Sequence, residues 1–335
     1  MPPLSPITGD SRPAPATGLS RRAVLAAGGA GLVALAGWGE ARAARQPTGS
    51  PATEPKPSPT KAENAGPLFR ISLAQWSLHR MLYAGKLDHL DFPAFAKERF
   101  GIVAVEYVNA FFAKKGNAAY VAELKKRCAD AGVTSVLIMC DGEGALGDPD
   151  AAARTKTVEN HLKWLDAAKA LGCHAIRVNA QSTGTYEEQQ KLAADGLRRL
   201  CERADPLGLS VIVENHGGLS SDAKWLAGVM KQTDHPRAGT LPDFGNFPKE
   251  ADRVTSVAAL MPFARAVSAK SWDFDDKSGD HVGFDYAPLM KTVVAAGYRG
   301  WVGVEYEGSR LGEPEGVLAT KRLLERLRDE LRKPT

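Results

Sequence analysis

The stretch LSVIVENH (209–216) begins as a mostly apolar run and ends on a carboxylate, an amide and an imidazole. A nearly continuous apolar run of this length is typical of a strand buried on both faces, as in a parallel sheet. The polar residues indicate where the strand ends and a loop begins. Because side chains alternate along a strand, we expect Glu214 and His216 to share one face and Asn215 to point the other way, toward helices.

Seven further runs resemble this one, and amphipathic stretches such as 118–132 and 155–172 separate them. The other runs are 69–75, 102–108, 134–140, 174–180, 238–244, 264–270 and 301–307. Glycines such as Gly132 and Gly172 close the amphipathic stretches, as they close helices. Eight strand–helix units in about 265 residues predict an α/β fold, a single (β/α)8 TIM barrel. An open doubly wound sheet is disfavoured, because no glycine-rich dinucleotide loop follows the first strand.

The composition indicates a soluble globular protein without a nucleic-acid partner. Hydrophobic residues make up 44% of the chain and charged residues 24%, which is ordinary for such a protein. The net charge is +4, and the charges of the C-terminal stretch 321–333 alternate in sign, as on a solvated helix face. We therefore expect no binding to DNA or RNA.

The N-terminal residues do not form part of the predicted barrel. Arg21-Arg22 precedes an apolar Ala- and Gly-rich stretch (23–37) and the small-residue pattern ARA (41–43), which together resemble a twin-arginine export signal. We expect a signal peptide at 1–43, a disordered linker rich in Pro, Ser and Thr at 44–67, and the barrel at 68–335. This predicts a periplasmic or secreted protein with no stable membrane insertion after cleavage; an uncleaved anchor is the alternative.

Three acids end predicted strands in the second half of the chain: Glu214, Asp243 and Glu305. Burying a carboxylate is costly unless a cation or hydrogen bonds compensate it. The C-terminal ends of the strands meet at the mouth of a TIM barrel, where active sites lie. A shared divalent metal is the favoured interpretation, and oxygen ligands suit Mn²⁺, Mg²⁺ or Co²⁺ better than Zn²⁺. Salt bridges that cap the barrel are the alternative.

Other polar residues at strand ends are candidate substrate contacts. They are His216, Lys270, Arg177, Asn179 and Glu106. A lysine at a barrel mouth can act as a base or as an electrostatic clamp on a developing enolate. Ion pairs and structural hydrogen bonds are the competing interpretation for each of them.

The runs VENHGG (213–218), LPDFGNF (241–247) and GVEYEG (303–308) resemble, in their order and spacing, the sugar phosphate isomerases/epimerases of the xylose-isomerase-like barrel superfamily. The resemblance spans about residues 68–330. In the ketose 3-epimerases of that group, two Glu, one Asp and one His bind a divalent metal, and the two Glu transfer a proton on opposite faces of the substrate carbon. Carried over, these residues are Glu214, Asp243 and Glu305, with Ser268 at the position of the histidine.

Besides Ser268, the chain departs from the family pattern at a second position, and the resemblance leaves several points open. Asn246 stands where many relatives have a histidine, and we count it among the substrate contacts. The fourth metal ligand is Ser268, His216 or water. The resemblance implies a metal-dependent isomerase or epimerase acting on a sugar through an enediolate, with Glu214 and Glu305 as catalytic acid and base. The alternatives are a lyase or hydrolase of oxidised sugars or glycosides, and a non-catalytic sugar-binding barrel. A homo-oligomer is compatible with the sequence.

Overall fold

The computed structural model describes residues 66–333, and this part of the chain contains eight β-strands and nine α-helices. The strands are β1 (Arg70–Ala74), β2 (Ala104–Val108), β3 (Thr134–Met139), β4 (Ala175–Val178), β5 (Ser210–Glu214), β6 (Ala238–Leu241), β7 (Val267–Ser271) and β8 (Trp301–Tyr306). Each lies within one of the eight apolar runs or extends one residue past its end. The predicted strand order along the chain is confirmed.

Helices follow the strands on the outside of the sheet. They are α1 (His79–Tyr83), α2 (Phe92–Phe100), α3 (Ala118–Ala131), α4 (Ala151–Leu171), α5 (Tyr186–Ala204), α6 (Ala223–Thr233), α7 (Arg253–Leu260), α8 (Tyr286–Ala295) and α9 (Glu313–Glu330). The side chain of Asp222 accepts hydrogen bonds from the first turn of α6, which satisfies otherwise free amide groups. Gly132 and Gly172 end α3 and α4 in the left-handed conformation.

The eight strands are parallel and form one barrel. Their order is β6-β5-β4-β3-β2-β1-β8-β7. The backbone amides of Arg265 and Ser268 donate to the carbonyls of Thr240 and Pro242, so that β7 also meets β6 and closes the ring. The predicted single (β/α)8 TIM barrel is therefore confirmed, and the C-terminal ends of all eight strands open at one mouth.

Two apolar clusters stabilise the barrel. The larger one lies between the strands and the helices and includes Trp164, Trp225 and Phe92. The smaller one consists of residues from six strands, among them Leu137 and Ile212. Ile212 shares its strand face with Glu214, so this smaller cluster fills the lumen just below the polar mouth.

The signal peptide predicted at 1–43 lies outside the described residues, as does nearly all of the linker at 44–67. Among the helices of the described part, none is both long and apolar enough to cross a membrane.

Candidate active site

Three buried carboxylates converge at the mouth of the barrel. Glu214 is the last residue of β5, Asp243 follows β6, and Glu305 lies near the end of β8. Each residue is at most 3% exposed, and one carboxylate oxygen from each residue lies within 4.8 Å of the other two. The strand ends therefore bring together the three acids that the sequence pattern singled out.

Asp243 is held by its own loop and presents one free oxygen. The backbone amides of Gly245 and Asn246 both donate to Oδ1 at 2.8 Å. Oδ2 is buried and has no hydrogen-bond partner in the described part of the chain. A buried carboxylate oxygen without a donor carries a large desolvation penalty. Oδ2 is therefore oriented for a ligand that the protein itself does not supply.

Asn215 fixes the position of Asp243 from the neighbouring strand. Its Nδ2 donates to the Asp243 carbonyl at 2.9 Å, and its Oδ1 accepts from the Asp243 amide at 2.7 Å. Asn215 directly follows β5, and its amide reaches sideways to the segment after β6. Its expected orientation toward the helices stays a prediction.

Glu214 lies between an amide and a guanidinium. Asn246 donates from Nδ2 to Oε1 at 3.0 Å, and Arg177 Nε lies 2.8 Å from Oε2. The Arg177 N–H is not aligned with this oxygen, so the contact is an ion pair without a hydrogen bond. Arg177 also pairs through Nη1 with Asp141 at 2.7 Å. Oε2 of Glu214 therefore keeps its capacity to accept a hydrogen bond or to bind a cation.

Glu305 has the most complete set of partners. Lys270 Nζ lies 3.2 Å from Oε1, and Ser268 donates to Oε2 at 2.8 Å. Lys270 also lies 3.4 Å from Glu307. Ser268 and Lys270 both contact Glu305, and Lys270 contacts Glu305 and Glu307 alike, as expected for residues two apart that share a strand face.

The environment shifts the protonation equilibria of the acids in opposite directions. Burial raises the pKa of Glu214 against the opposing field of Arg177, and it raises the pKa of Asp243 well above its usual range. For Glu305, burial is outweighed by Lys270 and by the Ser268 hydrogen bond, so its pKa is lowered. The surrounding carboxylates outweigh burial at Lys270 and raise its pKa well above its usual range.

These contacts fit a divalent cation. Three carboxylates face two buried cations, Lys270 and Arg177, and each cation also pairs with an acid outside the cluster, so negative charge is in excess. Oδ2 of Asp243 and Oε2 of Glu214 lack hydrogen-bond partners. Hard oxygen donors of this kind suit Mg²⁺, Mn²⁺ or Co²⁺. The ring of His216 does not join the group of potential ligand atoms among the described residues, and Ser268 contacts the cluster as a donor to Glu305.

Glu106 lies apart from the three clustered acids. Its Oε1 accepts from the Ser72 hydroxyl at 2.5 Å, and Oε2 is buried without a partner among the described residues. Gly303 faces it on β8: a Cβ at that position would lie 2.8 Å from both carboxylate oxygens. Burial raises the pKa of Glu106 to about 8, with the Ser72 hydrogen bond opposing the shift. Glu106 does not line the cavity at the mouth, so its predicted substrate contact stays a prediction.

A cavity of about 410 Å³ opens at the mouth, and of the three clustered acids Glu305 lines it. Glu305, Arg177, Asn179 and His216 line it, together with Trp76, Tyr83 and Gln181. Asn179 donates from Nδ2 to Asp141 at 2.7 Å, and its Oδ1 has no partner in the described part of the chain. The cavity therefore combines charged groups with amides that are available to a polar ligand.

An aromatic wall lies on the β1 and β2 side of this cavity: Trp76 and Tyr83 line the cavity, and Phe111 packs against both rings. The ring centroids of Tyr83 and Phe111 are 5.0 Å apart, and those of Trp76 and Tyr83 are 6.3 Å apart. Tyr83 is 65% exposed, although a large aromatic side chain is usually buried. Such a wall can stack on the apolar face of a sugar ring.

The sequence pattern did not identify several residues that build the site. Ser72 was not recognised as a partner of the Glu106 carboxylate or Asn215 as a partner of the Asp243 backbone, and Tyr83 and Gln181 were not recognised as lining residues. Ser72 stands two residues before Ala74 on the first strand, so its inward direction could be read from strand alternation. Tyr83 and Gln181 lie beyond the strand ends, where periodicity carries no information.

The fold and the site together define a (β/α)8 barrel with a candidate metal centre of three carboxylates at its mouth. Residues 94–330 match the model of the xylose isomerase-like TIM barrel family. The chain belongs to this family, as the resemblance in the sequence implied. No curated protein matches the chain.

Several solved structures share the barrel at low sequence identity. An L-ribulose 3-epimerase is 16% identical with a TM-score of 0.62, covering 79% of this chain and 100% of that one. A sugar phosphate isomerase/epimerase from Parabacteroides distasonis is 17% identical with a TM-score of 0.61, covering 80% and 98%. The 3-keto-D-glucoside 4-epimerase from E. coli is 16% identical with a TM-score of 0.59, covering 77% and 99%. At these identities the likeness establishes the fold alone.

Proposed function

We propose that this protein is a divalent-metal-dependent isomerase or epimerase of a sugar or sugar derivative. The observation that carries the proposal is the convergence of Glu214, Asp243 and Glu305 within 4.8 Å in a buried, polar mouth. The unpartnered oxygens of Asp243 and Glu214 support metal binding. The names of similar folds, among them an L-ribulose 3-epimerase and a D-psicose 3-epimerase, make sugar substrates the first class to test.

Glu214, Asp243 and Glu305 would hold the cation. Once bound, a divalent cation supplies Lewis acidity that polarises adjacent oxygens of the substrate and makes a neighbouring carbon-bound proton more acidic. Asp243 serves as a ligand only, because two backbone amides fix one of its oxygens and the other points to the cluster.

Glu214 and Glu305 move the proton. They extend from β5 and β8, so they reach a substrate in the mouth from different sides. One removes the proton from the substrate carbon to give an enediolate, and the other delivers a proton, with the roles exchanged in the reverse direction. Lys270 lies beside Glu305 and offsets negative charge that develops nearby.

Neutral and cationic side chains orient the substrate. Asn179 offers an unpartnered Oδ1 to a sugar hydroxyl, and His216 lines the same cavity. Arg177 is held by Glu214 and Asp141, and this pairing fixes its position in the cavity wall. The aromatic wall restricts the orientation of the ring from the opposite side.

The experiment is solvent exchange at a substrate carbon. The Mn²⁺-loaded protein is incubated in D₂O with a panel of ketoses and 3-keto sugars, and deuterium is located by NMR and mass spectrometry. We expect incorporation at one carbon, and loss of incorporation by a factor of about 100 or more in Glu305→Gln. Glu187→Gln, which changes an exposed glutamate on α5, is the matched control. Full exchange in Glu305→Gln contradicts the assignment, and loss of water or of a glycosyl group identifies a lyase or hydrolase instead.

We further propose that residues 1–43 direct export by the twin-arginine route. The support is the order of Arg21-Arg22, the apolar stretch and the ARA pattern. Replacing Arg21 and Arg22 by lysine in the full-length chain should retain the protein in the cytoplasm, as measured by cell fractionation. Unchanged export of the variant contradicts this proposal.

A further inference from the structure

A second cavity opens beside the one at the mouth. It has a volume of about 260 Å³ and lies between the loop after β4 and the loop after β5. Asn179, Gln181 and His216 line both cavities. The two spaces therefore adjoin, and a molecule that fills the first can extend into the second past these three side chains.

The lining of the second cavity is polar but uncharged. Its polar side chains are amides, hydroxyls and the ring of His216: besides the three shared residues these are Ser182, Gln189 and Ser220. Within residues 66–333, no Lys, Arg, Asp or Glu lines this space. Phosphate is recognised by cations in paired geometry, and the nearby Arg177 is already held by two carboxylates. The cavity suits a neutral ligand that is rich in hydroxyl groups.

An unpartnered atom independently indicates a hydroxyl donor here. Asn179 Oδ1 is buried and lacks a hydrogen-bond partner in the described part of the chain. Its orientation is fixed, because the other end of the amide donates to the Asp141 carboxylate, which can only accept. Asn179 lines both cavities, so a donor beside it at their junction would satisfy this oxygen. A sugar hydroxyl provides such a donor.

The walls of the second cavity are already rigid. Ser220 accepts from the His216 amide at 3.0 Å and donates to the Gly217 carbonyl at 2.7 Å. Ser221 accepts from the Gly217 amide at 2.9 Å. Across the cavity, Ser182 donates to the Gly147 carbonyl at 2.5 Å. A preformed pocket does not have to be ordered when the ligand binds, which favours affinity.

We propose that the substrate is a neutral glycoside with two rings. One ring lies in the cavity at the mouth and undergoes the reaction, and the second, glycosidically linked ring lies in the cavity between the loops after β4 and β5. This inference rests on the proposed function for the identity of the reacting site, and it adds a binding subsite and excludes sugar phosphates as the preferred substrates.

The test is titration calorimetry on the Mn²⁺-loaded mature protein. The probes are maltose, cellobiose, sucrose and lactose, with glucose and glucose 6-phosphate for comparison. We expect at least one disaccharide to bind at least tenfold more tightly than glucose, and glucose 6-phosphate to bind no more tightly than glucose. If no disaccharide binds more tightly than glucose, or if the phosphate ester is preferred, the subsite is refuted.

Two variants locate the binding. Gln189 lines the second cavity and not the first. Its side chain makes one exposed hydrogen bond, to the Gly184 carbonyl, so Gln189→Ala should fold normally. It should weaken disaccharide binding about tenfold and glucose binding less than twofold. Thr183→Ala, an exposed residue that lines neither cavity, should change neither. Equal losses for glucose and disaccharide in Gln189→Ala overturn the second subsite, whereas failure of Mn²⁺ binding or of deuterium exchange concerns only the proposed function.

Discussion

The two sides of the barrel mouth bury carboxyl groups in different ways. On the side formed by β4 to β8, which we call the charged side, Glu305 pairs with Lys270 and Glu214 with Arg177. On the side formed by β1 and β2, which we call the aromatic side, the buried acid is Glu106, and its partner is a serine hydroxyl. Lys270 and the Ser268 hydroxyl lower the pKa of Glu305, whereas burial beside the Ser72 hydroxyl raises the pKa of Glu106 to about 8. Burial also raises the pKa values of Glu214 and Asp243. Of these four acids, Glu305 is therefore the one whose ionised form the protein itself favours.

Replacing Lys270, a buried cation of the charged side, should have the largest effect on stability. Lys270→Met leaves Glu305 buried and without its nearest cation, and an uncompensated buried charge costs about 3–5 kcal/mol. We expect the free energy of unfolding of the EDTA-treated protein, measured in urea, to fall by this amount. The double variant Lys270→Met/Glu305→Gln should recover most of it. Equal destabilisation in the single and double variants would show that the ion pair is not the cause.

The contribution of Glu106, the buried acid of the aromatic side, to stability should depend on pH in the opposite sense from that of Glu305, which is paired with Lys270. The pKa of Glu106 is raised from its ordinary value of 4.5 to about 8 by burial, so the folded protein keeps a proton that the unfolded chain releases. The associated stability is present below pH 4.5 and is lost as pH rises through 8. We expect this group to lower stability by ~3 kcal/mol between about pH 5 and pH 8.

Glu106→Gln removes the titrating group and keeps an oxygen that can accept from Ser72. The variant, free of metal, should lose this part of the pH dependence in urea unfolding measured across the same range. Glu187→Gln on the exposed face of α5 serves as the control. A variant whose pH dependence matches that of the unmodified protein would mean that Glu106 is ionised when folded.

Removing the hydrogen bonds that hold Asp243 in place should have a smaller effect, which we expect on metal affinity. Asn215→Ala removes both hydrogen bonds that join this residue to β5, while all three carboxylates remain. Residues that orient metal ligands typically contribute about 10–100-fold to metal affinity. We expect the Mn²⁺ dissociation constant to rise within that range. An unchanged constant would indicate that the loop amides of Gly245 and Asn246 position Asp243 without help.

We expect the smallest effect from a substitution in the aromatic wall, and we expect it on sugar binding. Tyr83→Ala removes an exposed ring, so stability should change by less than about 0.5 kcal/mol. Loss of its stacking should weaken sugar binding by ~1 kcal/mol, about fivefold. Val103→Ala, an exposed residue at the opposite end of β2, is the control. Unaltered sugar affinity in Tyr83→Ala would place the substrate away from the aromatic side.

The sequence was most informative where strand periodicity applies. All eight strands and the convergence of Glu214, Asp243 and Glu305 follow from apolar runs with polar ends, because parallel strands of a barrel open at one mouth. Periodicity did not reveal that Asn215, one residue past β5, bonds to the Asp243 backbone. It did not reveal Gln181 or Tyr83 either, because both lie beyond the strand ends.

The contact of Glu106 with Gly303 places a constraint on how this barrel can change. The carboxyl group fills the space that a side chain at Gly303 would otherwise occupy, so the two positions share one volume in the lumen. A larger residue on β8 would require a shorter one on β2, and neither substitution alone keeps the interior close-packed. The two positions should therefore vary together among sequences that keep this barrel, as a pair with a fixed total size.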